Sequence, residues 1–497
     1  MTRRSAVAQR SKCFPPDQIM SHYALFILLC SISLGAIGLI LLFCKNYNFI
    51  NNNTVAWSAF ASLLFFTLYL VRLFFRHPRF FVLIFLFALD FWGASLGSAL
   101  IESGAYISEQ LRYGYQTGST VRLVFYSVIL IGTAQFFYNL LVRRHMSKEG
   151  AIRFQRIPRT VGIIVNILLL GLVVFLLASF LIYGTVFEQR VDRFVYRAQI
   201  APDWLIYISG YLYQLVFLSG LSLNTFRQSR FIRVSSLVGF LGSLIVVILQ
   251  GEKFTGLLLL THIFWLPSIL TSSWDSVRTG EAWRKLRRYI PLTFLVASAS
   301  FVLIIYHYSN FYGSKNTFEM LSQRLALHGH VWWGTDENVL SGRNSVDAMT
   351  QLEREFNPFA SPEGRFSPEL GIGFLMTLVA PWPVVQAYYD MNVRFAMGYP
   401  AIALYIFGYA GLILFQLIAG AILALFLLHF SRAILMGNFI RAFILLRLYF
   451  VLVEVFIMGE LYRLYSYKVW IYLAALAVIG LVASQSRIKG KRMPQWI

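Results

Sequence analysis

Twelve mostly apolar stretches dominate this chain of 497 residues, at 22–44, 54–74, 80–101, 120–142, 160–183, 204–224, 234–250, 255–272, 290–308, 399–430, 442–464 and 468–485. A helix needs about 20 such residues to cross a bilayer. The sequence therefore predicts an all-α polytopic membrane protein with about twelve transmembrane helices. The stretches 234–250 and 255–272 are short and separated only by 251–254, which predicts a tight helical hairpin. The long stretch 399–430 is expected to tilt or to start outside the hydrocarbon. The basic N-terminal tail enters a full-length span without a small-residue cleavage site, so no cleaved signal peptide is expected.

Composition narrows the function classes. Only 13% of residues are charged and 58% are hydrophobic, whereas a soluble domain carries about a quarter charged residues. A nucleic-acid partner would explain the net charge of +21 but not a mean hydropathy of +0.64. With the N-terminus inside, the tail, 72–79, 143–159, 225–233, 273–289, 431–441 and the C-terminal tail become cytoplasmic and hold 27 of the 43 Lys and Arg residues. This asymmetry puts both termini in the cytoplasm. The cytoplasmic connections are too short for a nucleotide-binding domain, which takes on the order of 100 residues, and no P-loop occurs. Cys13, Cys30 and Cys44 lie in the N-terminal tail and first span, where they form no metal-ligand spacing.

Three outer features carry candidate chemistry. The first is the 309–398 connection, which separates nine N-terminal spans (1–308) from three C-terminal ones (399–497). A loop of this length is usually functional. It contains Arg324, His328, His330, Trp332, Trp333, Arg343 and Arg365, and a short apolar run at 371–382 that reads as a re-entrant or interfacial helix. The second is the trio Arg190, Arg193 and Arg197, whose spacing puts them on one helix face unless Glu188 and Asp192 absorb their charge. The planar fork of arginine suits phosphate. The third is Lys253, flanked by Gly251 and Gly256 at a helix N-terminus that suits an anion; the alternative is a snorkelling lysine. Within the spans, Asp90, His262 and Glu454 face a cavity or lock helices together, and Glu460 can pair with Arg463 at i, i+3. Arg447 is expected to snorkel.

Three segments resemble one family. Gln250-Gly-Glu-Lys-Phe-Thr-Gly looks like the hairpin of O-antigen polymerases, the oligosaccharide repeat-unit polymerases. Gln323-Arg-Leu-Ala-Leu-His328-Gly-His330-Val-Trp-Trp333 looks like the start of their large periplasmic loop. Tyr405-Ile-Phe-Gly408-Tyr-Ala-Gly411 resembles the segment of the helix after it. The layout of about twelve spans with a large extracytoplasmic loop is similar too, and is GT-C-like.

The resemblance implies a metal-independent, cofactor-free inverting glycosyl transfer at the periplasmic face of the bacterial inner membrane. The implied substrates are oligosaccharides on undecaprenyl pyrophosphate, with membrane lipid around them and a chain-length regulator protein as a partner. Lys253 and Arg324 would contact pyrophosphate, assisted by Arg190, Arg193, Arg197, Arg343 and Arg365. His328 or His330 would be the base. From the residues' own chemistry, Asp336 and Glu337 stand in reserve and Trp332 and Trp333 offer apolar faces to sugar rings; the alternative is loop histidines at the interface with the tryptophans as belt anchors. The rivals are a ligase moving finished glycan to another acceptor, which the sequence does not separate from a polymerase, and a lipid-linked oligosaccharide flippase, which predicts internal repeats and broken helices.

Overall fold

The computed structural model describes residues 54–146, 158–189, 191, 193–226, 229–252, 254–271, 317–343, 346–357, 359, 367–391 and 393–488. The expected spans at 22–44 and 290–308 lie outside these residues. The apolar stretches between them are helices: α1 Thr54–Arg76, α2 Pro78–Glu102, α3 Ser119–Met146, α4 Arg159–Tyr183, α5 Asp203–Ser209, α6 Leu212–Thr225, α7 Arg230–Leu249 and α8 Phe254–Thr271. The long loop contributes α9 Thr317–Ala326, α10 His330–Ser341, α11 Ala348–Glu355, α12 Gly371–Val379 and α13 Trp382–Asp390. The chain ends in α14 Ala401–Leu435, α15 Phe439–Met458 and α16 Tyr467–Ile488. Among the described residues, seven helical spans are long and apolar enough to cross a membrane, counting α5 and α6 as one. The chain is thus an all-α multi-pass membrane protein; among the described residues one two-stranded ribbon pairs Tyr106–Ile107 with Arg112–Tyr113.

Helix α2 is the hub. It packs against α1, α3, α8, α9, α10 and α15, and its side chains from Phe80 to Glu102 are buried except Leu89, Asp90 and Gly93. Helix α14 lies along α3, so the N-terminal and C-terminal spans interleave in one bundle. Buried polar groups tie other helices together. Asn166 of α4 accepts from Ser219 Oγ (2.6 Å) and Ser236 Oγ (2.9 Å), joining α4, α6 and α7. Interhelical hydrogen bonds of this kind are worth about 1 kcal/mol each in a bilayer.

One expectation changes. The 399–430 span is broken rather than merely long: Gly408 has φ 65° and ψ −176°, outside the helical region and suited to glycine. The apolar run 371–382 forms two short helices, and α12 is buried in protein against α10 and α14. The hairpin of α7 and α8 forms as read.

Because the helices alternate in direction, their connections sort to two ends. One end carries Arg72, Arg76, Arg79, Arg143, Arg144, Arg159, Arg230, Arg233, Arg432 and Arg441, with no Asp or Glu there among the described residues. The other end carries α9–α13, the ribbon and the α7–α8 turn. Every described carboxylate lies at that loop-bearing end or within a span.

Candidate functional site

The α2–α3 connection organises the loop-bearing end. Glu102, the last residue of α2, is buried and accepts from Thr117 N (3.1 Å), Ser119 N (2.8 Å) and Thr120 N (3.2 Å). Its carboxylate thus occupies the N-terminus of α3, satisfying free N–H groups and opposing the helix dipole. The α9–α10 turn is pressed onto α2, where Gly329 meets Gly97 with no room for a side chain on either.

Helix α10 is clamped by two arginines. Arg122 donates to Asp336 from Nε (2.8 Å) and Nη2 (2.5 Å), and Tyr409 at the α14 break donates to the same carboxylate (2.9 Å). Arg112 donates to Glu337 from Nη1 (3.1 Å) and Nη2 (2.5 Å), joined by Tyr115 Oη (2.6 Å). Burial alone would raise the Glu337 carboxyl, but the bonds from Arg112 and Tyr115 outweigh it and hold the group low. Both acids therefore serve as clamp points, which leaves them ill-suited as the reserve bases of the sequence reading. Trp332 and Trp333 are also corrected. They are 1% and 0% exposed, and their indole N–H groups donate to Ser119 O and Tyr115 O. Neither face is open to a sugar; Arg112 covers Trp333 at 4.7 Å.

The two histidines separate in character. His330 is buried against Phe395, and its Nδ1 lies 2.7 Å from Leu327 O. A carbonyl only accepts, so Nδ1 carries the proton and Nε2 presents a lone pair, buried and without a partner. His328 keeps accessible surface. Yet the surrounding protein desolvates it, and with the adjacent His330 this lowers its pKa. Burial lowers His330 as well, against the opposing pull of Glu109.

Glu109, from the ribbon turn, is buried and accepts from Tyr388 of α13 at 2.8 Å and from Ser108 at 2.7 Å. Burial, then the charge and bond of Glu109, raise the Tyr388 pKa, while Arg324 pulls it down. Arg324, His328, His330, Glu109 and Tyr388 thus converge. Sequence reasoning missed Glu109, Tyr388, Arg112 and Arg122. The available signal was three charged residues, Glu109, Arg112 and Arg122, in and just after a short outer connection otherwise free of basic residues.

The remaining candidates lie elsewhere. Arg193 and Arg197 do not share one regular helix face. The segment is broken into the turns Val186–Gln189, Arg193–Val195 and the π-turn Tyr196–Ile200. Both bond Glu252 of the α7–α8 turn, at 2.6 and 2.8 Å, and neither bonds Glu188, which caps Thr185 instead. One carboxylate facing two guanidiniums leaves the corner positive. Arg343 is exposed at the end of α10, close enough to Glu337 to influence it. Arg190, Lys253 and Arg365 lie outside the described residues. Glu460 is buried and pairs with Arg463 as expected at i, i+3, and also with Arg394; Arg463 reaches Glu454 at 2.7 Å. Arg447 lies over the Tyr211 ring at 5.0 Å rather than snorkelling free.

A third carboxylate joins the loop helices. Glu355 of α11 is buried and accepts from Gly371 N at the start of α12 and from Gln351 Nε2. Burial pushes this group from 4.5 up to about 7. The folded chain therefore retains a proton that the unfolded chain releases. The resulting stability is full below about 4.5 and is lost as pH rises through about 7. The loss is on the order of 3 kcal/mol. Chemical unfolding of the protein in detergent across this range is expected to show that slope, and Glu355→Gln is expected to flatten it.

Residues 365–473, from the loop through α15 to the start of α16, match a family model described as a family of unknown function (DUF6418). No curated protein and no solved structure matches the chain.

Proposed function

We propose that the chain is an inverting glycosyltransferase of GT-C-like layout with about twelve spans. In this reading it polymerises undecaprenyl-pyrophosphate-linked oligosaccharide repeat units into surface polysaccharide. The loop-bearing end faces the periplasm and the arginine-rich end faces the cytoplasm of a bacterial inner membrane, as the positive-inside rule orients them. The observation that carries the reading is His328: accessible, desolvated, and four residues from exposed Arg324 at the loop-bearing end. Glycosyl transfer needs a base for the attacking hydroxyl and cations for the departing pyrophosphate. A neutral imidazole supplies the first. Arg324 supplies the second, and the Arg193–Arg197–Glu252 corner offers a further anion contact where Lys253 follows in sequence. Glu109 and Tyr388 bond each other beside His330.

The break at Gly408 is a feature of transporters as well. Here the segment is tied, since Tyr126 donates to Tyr409 O at 3.0 Å and Tyr409 is bound to Asp336. That favours a structural joint.

The test is deletion of the gene followed by gel analysis of surface polysaccharide. The expected result is a single repeat unit on intact carrier lipid. Long chains stranded on carrier would indicate a ligase, and carrier trapped facing inward would indicate a flippase. On complementation, His328→Ala is expected to lower polymerisation about 10²-fold or more, with Arg324→Ala also strongly reduced. Because the His328 pKa is lowered, the base stays neutral into mild acid. The acid limb of the rate is expected below the pH of about 6.5 that an unshifted imidazole would give. Full activity of both variants would remove the assignment.

A further inference from the structure

Helix α2 contains one interruption in its burial. Leu89, Asp90 and Gly93 keep accessible surface in a run otherwise closed from Phe80 to Glu102. They fall within about 100° of one helix face. On that face the packing is closed on both sides: Val82 and Leu86 are buried at one side, and Gly97 meets Gly329 at the other. A side-chain carbon at Gly93 would meet nothing within 4 Å, so there is open space beside it. Asp90 is twelve residues from either end of α2, about 18 Å at 1.5 Å per residue. That is the middle of the span.

Asp90 has no hydrogen bond or ion pair among the described residues, so it does not lock helices together. Tyr449 of α15 interacts with it electrostatically but donates its hydroxyl to Leu83 O at 3.1 Å. His262 of α8 lies against Phe85. Tyr69 of α1 stacks on Phe66 and Tyr126 of α3 bonds Tyr409 O. Arg324 of α9 and His330 of α10 are at the loop-bearing end. None of them bonds Asp90. An intramembrane carboxylate without a counter-charge is costly, and such residues mark ion or proton sites. A bound metal cation would need several oxygen ligands, and no group of three or more His, Cys, Asp or Glu is gathered anywhere among the described residues.

We infer that Asp90, in the gap beside Gly93, is a proton-binding site at mid-membrane depth. The inference is independent of the glycosyl-transfer reading. The site gives the bundle a group whose charge changes in the interior of a span, where the other described carboxylate, Glu454, is held by Arg463.

The experiment uses the full-length protein in detergent micelles and a hydrophobic carbodiimide, which adds only to protonated carboxyls. Peptide mass spectrometry reads the modified position. Asp90 is expected to be labelled and ion-paired Glu454 is not. Labelling is expected to fall about tenfold per pH unit once the pH passes the carboxyl midpoint, and to vanish in Asp90→Asn. Gly93→Leu, which the open space accommodates, is expected to reduce labelling about tenfold by filling the gap; it carries the test if Asp90→Asn does not fold. A sodium series is run in parallel and is expected to change nothing. Absence of label at every pH overturns the site. Protection by sodium overturns the proton assignment in favour of a metal cation. Unchanged labelling in Gly93→Leu overturns the gap as the location.

Discussion

Arg122→Met is expected to lower the stability of the protein by about 3–5 kcal/mol, the usual result of removing one partner from a buried ion pair. Asp336 has no exposed side-chain surface, and Arg122 supplies two of its three side-chain hydrogen bonds. Methionine keeps much of the aliphatic stem, so the loss isolates the charge. What remains is a buried carboxylate with one tyrosine hydroxyl, and its desolvation is no longer offset. The damage should spread to the α14 break, because Tyr409 is positioned through the same carboxylate. The measurement is denaturant unfolding in detergent. The double variant Arg122→Met/Asp336→Leu should recover most of the loss, since an apolar pair removes the stranded charge. A single variant no less stable than wild type would mean that the clamp does not hold α10 in place.

The helices were legible because hydrocarbon imposes a length and a composition that a window of residues displays directly. Two features lay outside that signal. The break at Gly408 sits inside an unbroken apolar run, and glycine is frequent in spanning helices without breaking them. The clamp on α10 joins residues more than 200 positions apart, Arg112 to Glu337 and Arg122 to Asp336, and no spacing rule reaches that far. The same distance explains the tryptophans. Adjacent indoles in a polar loop suggest sugar stacking, but the α3 start and its preceding turn fold over both and consume their N–H groups. For the candidate site, Arg324, His328 and His330 were readable as a short motif. Glu109 and Tyr388 were not, because their proximity depends on the ribbon and α13 meeting over the α9–α10 turn.

That turn is also where the smallest change is expected to act most strongly. Gly329→Ala adds one carbon that would stand 2.1 Å from Ser98 N and 2.6 Å from Ala94 O. Both are backbone atoms of α2, so no side-chain rotation relieves the contact. The turn or the helix must shift, and with it the buried face of α10 carrying His330, Trp332 and Asp336. Overpacking ordinarily costs about 1–3 kcal/mol. A clash with backbone on a helix packed by six others is expected at or above the upper end. Gly93→Ala provides the contrast on the same helix, four residues before Gly97. It meets nothing within 4 Å, and replacing a helical glycine by alanine favours the helix by up to about 1 kcal/mol. Opposite signs for the two substitutions, read by thermal unfolding, would show that the seam between loop and bundle is the Gly97–Gly329 contact. Limited proteolysis of Gly329→Ala should then cut first near the α9–α10 turn. Equal tolerance of both would mean that α10 is held by the arginine clamps alone.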